Sequence, residues 1–277
     1  TNGWVLSLDE AGTEIESGAV AVAGSRIIAL GPAADFKDWE VGQTIDAGGG
    51  LILPGLVNTH THAAMTLFRG LADDLPLMTW LNDHIFPAEA KLDPEMVRIG
   101  TTLACTEMIR SGTTCFCDMY LFEGQVAEAA KAAAMRAVVG EVLYDFPSPN
   151  YGPIDKGFAY TRNLMAQWQG DGLITIAVEP HSPYLCAPEL LQEAAALAEE
   201  HQAPLVIHLA ETRSEVDTIQ ERYQKTPVGH LAELGILGPR TVACHCVELT
   251  EEDIALLRQT GTKVAHNPES NMKLASG

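Results

Sequence analysis

The stretch LPGLVNTHTH, Leu53 to His62, decides how the rest of this chain reads. An apolar run ends in two histidines one residue apart. In a β-strand successive side chains point to opposite faces, so His60 and His62 point the same way. Two protonated imidazoles side by side repel each other. Two neutral ones make a pair of nitrogen donors for a metal.

Outward from this stretch, the texture on the two sides differs. Residues 1 to 53 read as short strands, GWVLSL, GAVAVAGSRIIALG and QTIDAGGGLILPG, punctuated by Gly and Asp with no helix signal between them. From residue 54 on, apolar strands alternate with helices. Asp93 and Pro94 open the first helix as N-cap and first-turn residue, with Met96, Ile99, Leu103, Met108 and Ile109 predicted as its buried face. Further helices are expected over 124–136, 158–169, 188–201, 214–223, 228–234 and 251–260. Between them lie the strands TTCFCDMY, RAVVGEVLY, LITIAVEPHS, PLVIHLAET, TVACHCVEL and TKVAHNPESN. Such alternation means parallel strands joined by right-handed crossovers, and strands apolar on both faces are strands buried on both faces. The fold class is therefore α/β. With the strand at Leu53–His62 this gives seven strands, where a closed (β/α)8 barrel has eight in about 250 residues. A doubly wound sheet is the alternative, but the chain contains neither G-x-G-x-x-G nor G-x-x-x-x-G-K-[ST]. The domains expected are 1–53, β-rich, and 54–277, a barrel.

Polar residues gather at the C-terminal ends of these strands: His60 and His62, then Glu179 and His181, then His208 with Glu211 close behind, then His245, then His266, Asn267 and Ser270. That end of a barrel is where its chemistry sits. One histidine at a strand end is more often a hydrogen-bonded structural residue than a ligand. That plain reading suits His84, His201 and His230, and His266 reads as a residue shaping a pocket wall. It fails for His60, His62, His208 and His245 taken together. Cys115-x-Cys117 and Cys244-x-Cys246 are spaced too tightly for a zinc finger and read as small strand residues of the core. Neither G-x-S-x-G nor H-x-E with P-C-x-x-C occurs, which removes the elbow serine hydrolases and one class of zinc deaminase.

Composition sets the remaining bounds. With 47% hydrophobic and 19% charged residues the chain is globular rather than disordered. Against 37 acidic residues stand 17 basic ones, for a formal net charge of −20. This argues against nucleic acid or an anionic membrane as partner and leaves a small neutral or cationic molecule. No apolar run approaches the ~20 residues of a membrane span, and no basic-then-apolar leader opens the chain. Six scattered cysteines are expected to be reduced thiols in a cytoplasmic protein. A start at Thr1 and a stop at LASG in mid-pattern suggest cut ends.

LPGLVNTHTH, EPHSPYLC, VIHLAET, ACHCVEL and VAHNPESNMKLASG, in that order, resemble the amidohydrolase superfamily, and within it the 5-methylthioadenosine/S-adenosylhomocysteine deaminases. The resemblance covers nearly the whole chain. It implies a TIM-type (β/α)8 barrel with a small β-sandwich, and one divalent metal, zinc or iron. By motif match the ligands would be His60, His62 and His208. An Asp from an eighth strand would be the fourth, in a GTDG-like motif that these 277 residues do not contain. The reaction implied is hydrolytic removal of the 6-amino group of an adenine nucleoside. Glu211 would shuttle a proton, His245 would hold the hydroxide, and Glu89, His181 and Trp80 would contact substrate. Glu89 suits a ribose diol because a carboxylate accepts two hydrogen bonds. The resemblance also implies a homo-oligomer. Relatives that grip a carboxylate use Arg on and after strand three; here Arg136 is followed by Glu141, and no Arg returns before Arg162. An acid there would repel a charged tail, which favours 5′-methylthioadenosine over S-adenosylhomocysteine. The competing readings are a guanine, pterin or triazine amidohydrolase and a non-catalytic barrel.

Overall fold

The computed structural model describes all residues from Thr1 to Gly277. They divide into two compact units, Thr1–Leu56 and Val57–Gly277.

The first unit is a four-stranded mixed sheet. Its strands are β1 (Gly3–Leu6), β2 (Glu14–Ala23), β3 (Arg26–Pro32) and β4 (Leu51–Ile52), in the order β3-β2-β1-β4. The first three run antiparallel to their neighbours, and β4 lies parallel to β1. The expected strand from Gln43 forms only at Leu51–Ile52. The Asp46 carboxylate instead accepts from the Gly48 amide at 2.8 Å and from the Asn2 side chain at 2.9 Å. Gly48 and Gly49 then turn with φ of 59° and 79°, a backbone that breaks strand pairing.

In the second unit, β5 (Leu56–Thr61), β6 (Thr113–Tyr120), β7 (Arg136–Leu143) and β8 (Ile174–Ile176) form one run of neighbours. Strand β9 (Glu179–Pro180) also pairs with β7. Strands β10 (Leu205–Leu209), β11 (Thr241–His245) and β12 (Lys263–Ala265) form a second parallel run. A parallel bridge between Val178 and Leu205 joins the two, extended by His208 N–H donating to the His181 carbonyl at 3.0 Å. The wall is thus seven strand positions of a TIM-type barrel with helices between them. The expected strand LITIAVEPHS is split into β8 and β9 because Ala177 pairs with Val139 while Val178 turns to Pro204 and Val206.

Val139, Leu143, Val178, Ile207, Leu209 and Ala243, all fully buried, fill the core. Helix Pro94–Arg110 starts where expected, with Asp93 accepting from the Met96 amide at 2.8 Å. Its buried face differs from the expected one. Met96, Ile99, Leu103 and Ile109 are exposed, and Val97, Gly100, Thr101, Ala104 and Cys105 are buried. The helix packs closely on the turn Ala63–Phe68, where a Cβ on Gly100 would lie 2.6 Å from the Ala64 carbonyl oxygen. Only small residues allow that approach. Two other helices shift: 124–136 forms as Glu123–Ala132 because Arg136 is already in β7, and 158–169 begins earlier, at Ile154. All six cysteines are free thiols. No helix is long and apolar enough to cross a membrane.

Candidate active site

Strand direction brings the polar residues together. His60 is the last but one residue of β5, and His62 follows directly after the strand. Their rings lie 4.8 Å apart, edge to face. His208, near the end of β10, has its ring centroid 4.8 Å from that of His60 and 5.4 Å from that of His62. One donor atom from each of the three falls within 4.8 Å of the others.

Neighbouring carbonyls fix two of these rings. His62 Nδ1 donates to the Met119 carbonyl at 2.5 Å, and His208 Nδ1 donates to the His181 carbonyl at 2.8 Å. Each therefore turns a lone-pair Nε2 inward. His60 Nε2 lies 3.1 Å from His208 Nε2, while the buried His60 Nδ1 has no partner. Two imidazole nitrogens bound to one zinc-sized ion at about 2.1 Å lie about 3.0–3.4 Å apart. The donor set and its spacing fit a divalent cation. Burial first, then the neighbouring imidazoles, hold His60 and His208 well below the usual histidine range. Both rings thus favour the neutral form, the form in which an imidazole can bind a metal.

Asp118, which sequence reasoning passed over, holds the turn that bears His62. Its Oδ1 accepts from Thr61 Oγ1 and from the Ala63 amide, each at 2.5 Å, bracketing His62. The signal was a carboxylate among the apolar residues that follow the two threonines of TTCFCDMY.

These rings open onto a cavity of about 450 Å³, also lined by Trp80, His181, Tyr184, Glu211, His245 and His266. Burial, then the like charge of Glu215, lifts the Glu211 carboxyl to about 8. Glu211 Oε1 lies 3.7 Å from His245 Nδ1, and that same Nδ1 donates to Asn271 Oδ1 at 2.8 Å. Burial brings His245 down to about 4 and His181 to about 3. Asn271 had gone unnoticed within HNPESN.

Glu89 lies in an adjoining pocket of about 60 Å³, which shares Trp80, His62, His181 and His208 with the larger cavity. Burial lifts its carboxyl to about 7, with the Tyr120 hydroxyl beside it acting the other way. The eight residues given roles by the resemblance thus line one or the other of these joined spaces, whereas Glu179, expected at the same mouth, is fully buried and lines neither. His84, His201 and His230 line neither; His230 is buried and stacked on Tyr223 at 4.0 Å.

Glu141 corrects the substrate argument. It does not face either space. It is fully buried, and its Oε2 accepts from the Glu123 amide at 2.9 Å. It is not placed to repel a substrate's tail, so that part of the case for 5′-methylthioadenosine falls, while the lack of an Arg between Arg136 and Arg162 stands.

Parallel strands whose polar ends converge on one mouth define a barrel that carries its chemistry there. The chain belongs to the amidohydrolase family, whose profile matches residues 51–277. It is 61% identical, over its whole length, to a 5-methylthioadenosine/S-adenosylhomocysteine deaminase of Syntrophobacter fumaroxidans, covering 63% of that protein. It is 55% identical over 99% of its length to the corresponding deaminase 1 of Syntrophus aciditrophicus, covering 62%. The chain thus spans less than two thirds of the length of these relatives. Among solved structures, a zinc-bound adenosine deaminase from Xanthomonas campestris superposes with a TM-score of 0.91 at 40% identity, over 99% of this chain and 63% of that one.

Proposed function

We propose that this chain carries the site of a metal-dependent deaminase that replaces the 6-amino group of an adenine nucleoside by oxygen, releasing ammonia and an inosine analogue. One observation carries the reading: a buried Glu211 carboxyl shares a cavity with three converging imidazole nitrogens. The names of the most similar relatives support the substrate class.

His60, His62 and His208 would hold the ion, with zinc favoured by three imidazole donors. When bound, the ion supplies Lewis acidity and makes hydroxide available near neutral pH. The chain's own residues do the rest. Attack at C6 pushes electrons onto ring N1; Glu211 takes the proton that water gives up and delivers it to N1, and the remaining hydroxyl proton passes to the departing amine, which leaves as ammonia. A carboxyl with proton affinity near the working pH suits such transfer, typically worth about 10²–10⁴-fold. His245, kept neutral by burial, accepts a hydrogen bond from the nucleophile's side. Trp80 walls the base, His181 contacts the nucleoside, and Glu89 accepts from the ribose hydroxyls. Six free thiols support a cytoplasmic setting. The resemblance supports a homo-oligomer, and a net charge of −20 argues against nucleic acid or an anionic membrane as partner.

The test is ammonia release from adenosine, 5′-methylthioadenosine, S-adenosylhomocysteine and guanine by the zinc-loaded natural protein. Turnover of the nucleosides and not of guanine is expected. A preference for guanine would overturn the assignment, because a free base has no diol for Glu89.

A further inference from the structure

Glu211 follows a backbone conformation that alanine avoids. Ala210, the first residue after β10, has φ of +50°, in the left-handed region. A non-glycine residue stays there only when its surroundings hold it. Here both sides of the residue are held. The Val247 and Glu248 amides donate to the Ala210 carbonyl at 2.9 Å each. On the other side, the Ala210 amide donates to Glu215 Oε1 at 2.8 Å and the Glu211 amide to Glu215 Oε2 at 2.9 Å.

Glu215 is the third residue of helix Arg213–Tyr223, whose N-cap Thr212 accepts from the Glu215 amide at 3.3 Å. A glutamate at this position ordinarily turns back to the amide of the cap residue itself. This one reaches past it, and each of its oxygens takes one of two consecutive amides. It is buried, and no Lys or Arg pairs with it. An ionisable group placed there without a cation is poorly explained as a stability device. As a clamp it does something specific. It fixes the 210–211 peptide so that the Glu211 side chain leaves the strand end toward His245 and the cavity.

We infer that Glu215 is the positioning residue of Glu211: its carboxylate clamps the two amides that aim the proton-carrying side chain at the substrate. This rests on the deaminase reading given above. Glu215 lines neither cavity, so its effect on the reaction passes through the backbone that carries Glu211.

The experiment compares Glu215→Gln, Glu215→Ala, Glu211→Gln and the double variant Glu211→Gln/Glu215→Ala, as the zinc-loaded natural protein. Misaiming a reacting group by about 1 Å lowers rate by about 10²-fold. We expect Glu215→Ala to lower kcat by that factor, with KM and zinc content within about threefold of wild type. Glu215→Gln, whose amide oxygen keeps one of the two bonds, should fall between. In the Glu211→Gln background, removing Glu215 should lower kcat by no more than about twofold, since residues acting as a unit are not additive. An equal drop in both backgrounds, or loss of zinc with loss of rate, would make Glu215 merely structural and overturn the inference. So would a kcat for Glu215→Ala within about threefold of wild type. If Glu215→Ala does not fold, Glu215→Gln carries the same comparison. Amide hydrogen exchange at Ala210 and Glu211 separates the two claims. Should wild type deaminate no nucleoside, the proposed activity fails, while faster exchange at these two amides in Glu215→Gln still supports the clamp and unchanged exchange refutes it.

Discussion

Replacing Glu141 with Gln should stabilise this protein at pH 8 and leave it nearly unchanged at pH 5. The side chain is fully buried on β7, with Oε2 on the Glu123 amide and Oε1 without a partner. Burial pushes its carboxyl from 4.5 to about 7, opposed by the Glu123 amide. Asp118, Glu123 and Glu179 are also buried there, each raised chiefly by burial. The unfolded chain loses this proton near pH 4.5 and the folded chain keeps it to about pH 7. Across that window the folded state binds more protons, so stability falls as pH rises and the loss is complete above the folded value. The gap corresponds to about 3 kcal/mol. The glutamine side chain keeps an acceptor for the Glu123 amide and has no proton to lose. Urea denaturation of both proteins at pH 5 and pH 8 is the assay. The variant's advantage should grow by about 2–3 kcal/mol between the two. A difference that does not change with pH would refute the reasoning. The same variant should leave the ratio of kcat/KM for neutral and charged nucleosides unaltered, because Glu141 does not face the cavity.

Asp118→Asn should weaken metal binding by about 10- to 100-fold in a chelator competition, because Thr61 and Ala63 exchange the carboxyl acceptor that brackets His62 for an amide. His230→Phe should leave zinc content unchanged and hold or raise the unfolding free energy by about 1–2 kcal/mol, since both buried ring nitrogens lack partners and the stack on Tyr223 survives. A marked loss of stability there would show that His230 has a hydrogen-bond partner after all.

The barrel and the histidine cluster were legible because both depend on local pattern. Alternating strands and helices specify parallel crossovers, and residues at strand C-terminal ends meet at one mouth whatever the packing details. Facing was less legible. Helix Pro94–Arg110 turns its larger apolar residues outward because close contact at Gly100 admits only small ones, and that contact comes from the turn Ala63–Phe68, some thirty residues away in sequence. Glu141 was misread for a related reason: a strand buried on both faces gives no sign of which face meets the cavity. Glu215, Asp118 and Asn271 escaped notice because they act by bonding backbone amides or a ring nitrogen, and no residue spacing announces that.

The central claim is that His60, His62 and His208 hold one divalent cation. Elemental analysis of protein purified without chelators, wild type beside His62→Ala and His208→Ala, tests it most directly. The account predicts about one transition-metal ion per wild-type chain and strong depletion in both variants. Wild type without bound metal, or variants that retain it in full, would contradict the account.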